Sequence, residues 1–329
     1  MLTRRSILAL GLAVLSGRTA ASRSAFAQSR YPDRPIRLVI PYPPGGVNDA
    51  VGRPWADKMR SSLGTVVVEN IGGGGGTVGA GAVLRAPPDG YTILLANNSI
   101  LVIHPIASAR RIYDPLRDFE PIALLAVNCL ALAVHPSLPV RTLGELIDHA
   151  KRDPGRLAYG SAGVGTGNHL TGELFKSLTG TDILHVPYRG AGPALTDLIS
   201  GQIPMAVAVV TGQVLGLHVS GKLRILAITG ERRLPAAPGI ATAVEAGVPG
   251  MIAQGFQSLF APAGTPPAIV AQISQATRVA MADDDMQRLM VASGLEPQPD
   301  STPESTRRFV AAEIARWGPV IKSIGLKLD

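Results

Sequence analysis

Five times along this chain an apolar, strand-length run meets a turn of glycine, proline, hydroxyl or amide residues, and helical sequence follows. The first instance is the most complete. Ile36-Arg37-Leu38-Val39-Ile40 reads as a strand, Pro41 to Gly46 as a Pro/Gly turn, and Asn48-Asp49 as the opening of a helix. Asn and Asp favour that place because their side chains accept bonds from first-turn N–H groups. A strand, a glycine turn and a helix start in succession leave free N–H groups at the end of a sheet, which suits an anion and especially a carboxylate. The other junctions are Gly72 to Gly76 before Thr77, Asn97-Asn98-Ser99, Gly160 to Thr166, and Pro187 to Pro193. None carries a cluster of acids.

Between these junctions strand-like and helix-like pieces alternate. Further strands are expected over 66–68, 92–96, 129–134, 183–186, 205–210 and 223–228, and helices over 142–151, 166–178, 193–200, 269–282 and 303–324. Alternation of this kind predicts an α/β architecture with largely parallel sheets. In such sheets ligands bind outside the carboxyl ends of the strands, where the five turns lie. Each helix dipole contributes about 0.3–1 kcal/mol to an anion. Several aimed at one carboxylate would suffice for micromolar binding, roughly −8 kcal/mol. The alternative is that the glycines only make tight turns.

Residues 1–27 have the order of an export leader: Arg4 and Arg5, an apolar stretch from Ile7 to Leu15, then small residues ending in Ala25-Phe26-Ala27. The apolar stretch is shorter than the roughly 20 residues that a spanning helix needs. Cleavage is expected near Ala27, which places the protein in the periplasm. The Arg4-Arg5 pair fits a twin-arginine route as well as the general secretory one. Loss of Arg4, Arg5, Arg18 and Arg23 with the leader lowers the formal charge from +7 to +3. No basic block remains and aromatics make up 4% of the chain, so nucleic acid is not an expected partner. Cys129 is the only cysteine, which rules out an intrachain disulfide.

Signs of catalysis are weak. Gly74-Gly75-Gly76-Thr77-Val78-Gly79 fits G-x-G-x-x-G, but the acid expected about 20 residues on is replaced by Asn97 and Asn98. Gly160-Ser161-Ala162-Gly163 resembles a nucleophile elbow with Tyr159 in place of its first glycine. The six histidines show no tight ligand spacing, so no metal and no cofactor are expected.

Several segments, in order, carry a family resemblance. They are Tyr31-Pro32-Asp33-Arg34-Pro35-Ile36-Arg37, Pro43-Pro44-Gly45-Gly46 with Asp49, and Ala86-Pro87-Pro88-Asp89-Gly90-Tyr91. Then come Gly163-Val164-Gly165 with His169-Leu170, and Val186-Pro187-Tyr188-Arg189-Gly190 with Pro193-Ala194-Leu195. Ala261-Pro262-Ala263-Gly264-Thr265-Pro266 and Glu313-Ile314-Ala315-Arg316-Trp317 complete the set. The chain thereby resembles the substrate-binding proteins of tripartite tricarboxylate transporters, the Bug-type periplasmic solute-binding family.

The resemblance implies a two-lobed periplasmic binding protein fold, type II-like, with a ligand cleft between α/β lobes. Lobe 1 would combine residues 31–128 and 256–329, and lobe 2 residues 129–255. It implies a monomer that captures a small carboxylate by lobe closure, without catalysis, for the membrane permease subunits of such a transporter. An exported cofactor-using oxidoreductase or a hydrolase is the alternative, as is an orphan binding protein with a sensory role. Carried over residue by residue, ligand contacts fall to Tyr42, Gly45, Gly46, Asn48 and Asp49, with Asn97 from the third turn. Ser161, Gly163, Thr166, His169, Tyr188 and Arg189 face them from the other lobe. Asp49 either meets the ligand or steadies its own helix, and His169 either serves the ligand, orients Ser161 or packs. Arg189 either pairs a second carboxylate or lies on the surface. The chain departs from the family pattern at Asn48 in place of threonine, Pro54 inside the first helix, Ala208 where an acid is common, and Asn168 before His169.

Overall fold

The computed structural model describes residues 31–110 and 112–328. The leader expected over 1–27, with its cleavage near Ala27, lies outside the described residues.

β1 (Ile36–Ile40) leads through the Pro/Gly turn into α1 (Val47–Lys58). The same order recurs in β2 (Val66–Asn70) with α2 (Thr77–Leu84) and in β3 (Thr92–Asn97) with α3 (His104–Ala107). A π-helical turn, Ser99–Ile103, joins β3 to α3. Next come β4 (Phe119–Val134), α4 (Leu143–Arg152), β5 (Ala158–Ser161), α5 (Gly167–Thr179), β6 (Leu184–Pro187) and α6 (Ala191–Ile199). They are followed by β7 (Met205–Val209), α7 (Gly212–Val219) and β8 (Arg224–Ile228). The chain returns through β9 (Gln254–Pro262), α8 (Pro267–Met281), α9 (Asp284–Ala292), β10 (Glu296–Pro297) and α10 (Pro303–Ser323).

Among the described residues the strands form one path, β2-β1-β3-β9-β4-β7-β5-β6, with β8 and β10 beside β4. The sheet is mixed rather than largely parallel. Strand–helix units make the parallel pairs β1–β2, β1–β3, β5–β6 and β5–β7. β9 and β4 run antiparallel to every partner. β4 changes partners midway: Phe119 to Cys129 pairs with β9, and Leu130 to Val134 pairs with β7. The result is a two-lobed α/β fold.

Burial follows from this sharing. All of β4 is buried except the half-buried Glu120, as a strand packed on both faces requires. α1 lies close over the sheet because Gly52 has no side chain. A Cβ there would stand 2.8 Å from Ile40 Cδ1 and 2.9 Å from Leu95 Cδ2. Such close approach fixes where the start of α1 falls relative to the ends of β1 and β3. A proline inside a helix ordinarily kinks or shortens it, and Pro54 lies inside α1. The helix runs unbroken through it to Lys58 before tightening at Met59–Ser61.

Candidate ligand-binding site

At the carboxyl ends of the strands lies a cavity of about 200 Å³. One wall is the start of α1, Val47 and Asn48, with Asn97, Asn98 and Ser99 from the end of β3 and the π turn. The facing wall is the start of α5, Thr166 to Asn168. Asn128 of β4, Gln254 and Gln257 of β9 and Thr171 of α5 complete the polar side-chain lining, and Val102, Leu130, Leu170 and Trp317 make an apolar patch. The cavity thus gathers the first, third and fourth turns.

Both helix ends offer backbone donors. α1 begins at Gly46 with no side-chain cap, so the first-turn N–H groups of Val47 and Asn48 are left for a ligand or water. α5 begins at Thr166, whose Oγ accepts from His169 N at 3.3 Å and donates to Gly163 O at 2.7 Å. That cap serves one orphan N–H and leaves those of Gly167 and Asn168.

The amides on the walls are set by specific bonds. Asn97 Oδ1 lies 3.0 Å from the Tyr42 hydroxyl and 3.4 Å from Ile100 N, so its Nδ2 is the atom left for the cavity. Asn98 ties β3 to β9, donating to Gln254 O and accepting from Phe256 N, each at 2.8 Å. Asn168 Nδ2 donates to Val207 O at 2.8 Å. Asn48, Thr171 and Gln257 are 5%, 0% and 5% exposed, yet Asn48 Nδ2, Thr171 Oγ1 and Gln257 Oε1 have no partner. Buried polar atoms are nearly always paired, so three unpaired ones around one cavity mark it as a place where another molecule completes the bonding.

Of the residues expected at the site, Asn48, Asn97 and Thr166 line this cavity. Tyr42 lines a neighbouring space of about 710 Å³ that shares Ser99 and Thr166 with it. Burial holds the Tyr42 hydroxyl above its ordinary pKa, and the hydroxyl sits 3.0 Å from Gly75 O. Gly45, Gly46 and Asp49 shape the first turn from outside the cavity. Asp49 accepts from Gly45 N (3.0 Å), Arg53 Nε (2.7 Å) and Asn70 Nδ2 (3.3 Å to each oxygen).

Ser161, Gly163 and His169 form a layer beneath the α5 turn. Ser161 is fully buried; its Oγ meets His185 Nε2 at 2.7 Å and accepts from Gly163 N at 3.1 Å. The separation is that of a nucleophile and its base, but neither side chain lines either cavity. His169 Nδ1 accepts from Gly165 N at 3.2 Å and its ring stacks on His185 at 4.0 Å. Burial lowers the pKa of both rings, and His169 lowers that of His185 further, to about 4. Tyr188 supports this layer from behind, its N–H bonded to Ser161 O and its hydroxyl to Asp197. Arg189 is exposed and lines neither cavity. Asn128, Gln254, Gln257 and Thr171 were missed. The signal for the first three is an amide interrupting an apolar run that must be buried.

Residues 51–326 match the profile of the tripartite tricarboxylate transporter family receptor. This chain belongs to that family. It is 34% identical over 326 residues to protein BugT of Bordetella pertussis, covering 98% of both chains. Two solved structures from R. palustris are also similar. Rpa4515 with adipate has 33% identity and a TM-score of 0.79, the match covering 90% of this chain and 99% of that one. MatC with bound malate has 31% identity and a TM-score of 0.76, over 88% of this chain and 100% of that one. Members of the family are periplasmic binding proteins and act as receptors of tripartite transporters. Among the described residues no helix is long and apolar enough to cross a membrane.

Proposed function

We propose that this chain is an exported receptor that captures a small carboxylate between its lobes, residues 31–128 with 256–329 on one side and 129–255 on the other. Closure brings the start of α1 against the start of α5 around the ligand, and the closed monomer presents both lobes to permease subunits. No chemistry is done on the ligand. The observation that carries this reading is the meeting of two long helices, N-terminus to cavity, at a space where buried polar atoms lack partners. The carboxylate takes N–H groups of Val47, Asn48, Gly167 and Asn168, helped by Asn48 Nδ2 and Asn97 Nδ2. Neutral donors backed by helix dipoles hold an anion without a cationic side chain. The adipate and malate in the two R. palustris structures support the same ligand class.

Calorimetric titration of the purified protein with short carboxylates tests this. Asn48→Ala, which removes a donor that bonds no protein group, should weaken binding about tenfold with the unfolding temperature of the free protein unchanged. Equal affinity in the variant, or binding of the matching alcohols as tight as that of the acids, would contradict it.

A further inference from the structure

A separate cavity of about 470 Å³ lies where the residue before the α4 cap, the end of α7, the start of β8 and residues 239–241 come together. None of its lining residues lines the ligand cavity or the space beside it. Its polar side chains are Arg141, His218 and Arg224, and among its described lining residues there is no Asp or Glu.

The backbone brings the two guanidinium groups close. Arg224 pairs with Val134 of β4, which fixes the start of β8. Its Nη1 donates to Val140 O at 2.7 Å, so its head rests on the peptide unit that joins Val140 to Arg141. Arg141 uses its backbone N–H, which bonds Glu145, while its guanidinium has no partner among the described residues. The acids of the flanking segments are engaged elsewhere. Glu145 lines a different hollow with Asp148, Lys151 and Arg152. Glu245 is held by Arg233 Nε at 2.9 Å and by Thr242 N–H at 2.8 Å. His218 Nδ1 accepts from Ile225 N–H at 3.3 Å, so the neutral ring keeps its proton on Nε2 and has a donor to offer.

Two like charges within a side chain's length repel each other, and an anion between them reverses the sign of that energy. Each guanidinium presents paired N–H groups that match the oxygens of an oxyanion. A carboxylate brings one negative charge and two oxygens. A terminal phosphate brings about 1.5–2 charges at pH 7 and three acceptor oxygens, which suits two guanidinium groups and an imidazole N–H together.

We infer that this cavity is a second anion site, independent of the carboxylate site, and that it takes a terminal phosphate group, free in solution or carried on a lipid headgroup. The inference does not depend on what the ligand cavity binds.

The test is titration of isotope-labelled protein with inorganic phosphate at constant ionic strength, followed through backbone amide resonances. Saturating shifts should centre on Arg141, Arg224 and residues 239–241, and excess butyrate should leave them in place. Arg141→Gln should weaken phosphate binding about tenfold or more. Arg152→Gln removes the same charge from the neighbouring hollow and should leave affinity as it was. Sedimentation with phosphatidic acid vesicles, set against phosphatidylcholine vesicles, separates the two sources. Phosphate shifts without vesicle binding assign a soluble phosphate, and vesicle binding that Arg141→Gln abolishes assigns the lipid. Neither response, shifts that butyrate displaces, or equal losses in Arg141→Gln and Arg152→Gln would overturn the inference. The wild-type shifts and vesicle binding decide the matter whether or not a variant folds.

Discussion

Asp49 and Asn48 are neighbours with opposite roles. Asp49 has its oxygens engaged by the backbone N–H of Gly45, by Arg53 and by Asn70, so its carboxylate ties the Pro/Gly turn to α1 and to the end of β2. Asn48 bonds no protein group through Nδ2 and lines the cavity. Asp49→Asn should therefore lower stability by about 1.5–3 kcal/mol, the range for bonds to a charged group, measured by denaturant unfolding of the ligand-free protein. An unchanged midpoint would mean that the turn is held by other contacts. The amino-acid order alone shows both residues at a helix start. It does not show which one is consumed locally, because that depends on Asn70, 21 residues further on in another strand. The same limit applies to His169 and Ser161, which stand at the right turn but bond to Gly165 and to His185 rather than facing the cavity.

Among elements, α5 matters most to the site. Its cap, Thr166, bonds both His169 N and Gly163 O and so holds the turn that carries the Gly167 and Asn168 N–H groups. Thr166→Ala should cost about 1 kcal/mol of stability and weaken ligand binding, whereas Thr166→Ser should restore both. Failure of serine to restore them would point to the threonine methyl group instead of the cap. Strand–helix units with local turn chemistry were legible in the sequence: β1 with α1, β3 and α5 fall where period and capping place them, whereas β5 runs through Gly160 and Ser161, which read as turn. β9 was not read as a strand, and only the second half of β4 was. β4 is apolar nearly throughout and β9 opens with Gln, Gly, Gln and Ser around a single Phe, so neither shows the alternation that marks a half-buried strand. Their amides, Asn128, Gln254 and Gln257, were missed for the same reason, as contributors to a site assembled across the sheet.

For the whole molecule, the two stacked histidines make stability depend on pH. Both have folded-state pKa values below the ordinary 6.5, His185 at about 4, because burial disfavours the charged rings. Glu173, on the same helix as His169, favours the charged form of each ring, and Lys176 opposes it. Well above pH 6.5 both rings are neutral in the folded and the unfolded chain, and their contribution to stability is fully present. As the pH falls from 6.5 toward 4 the unfolded chain takes up protons that the folded one refuses, so stability is lost across that window. Thermal unfolding at a series of pH values should show this decline, and His185→Gln should flatten it; a variant that keeps the full decline would remove His185 as its cause.

Two helix ends drawn from distant parts of the chain share one cavity, and the proposed function rests on an acid group bridging them. Titration of isotope-labelled protein with butyrate, followed through backbone amide resonances, tests this most directly. The account predicts the largest shifts, saturating together, at Val47 and Asn48 of α1 and at Gly167 and Asn168 of α5. Shifts confined to one of these helices, or centred on residues that line neither, would contradict it.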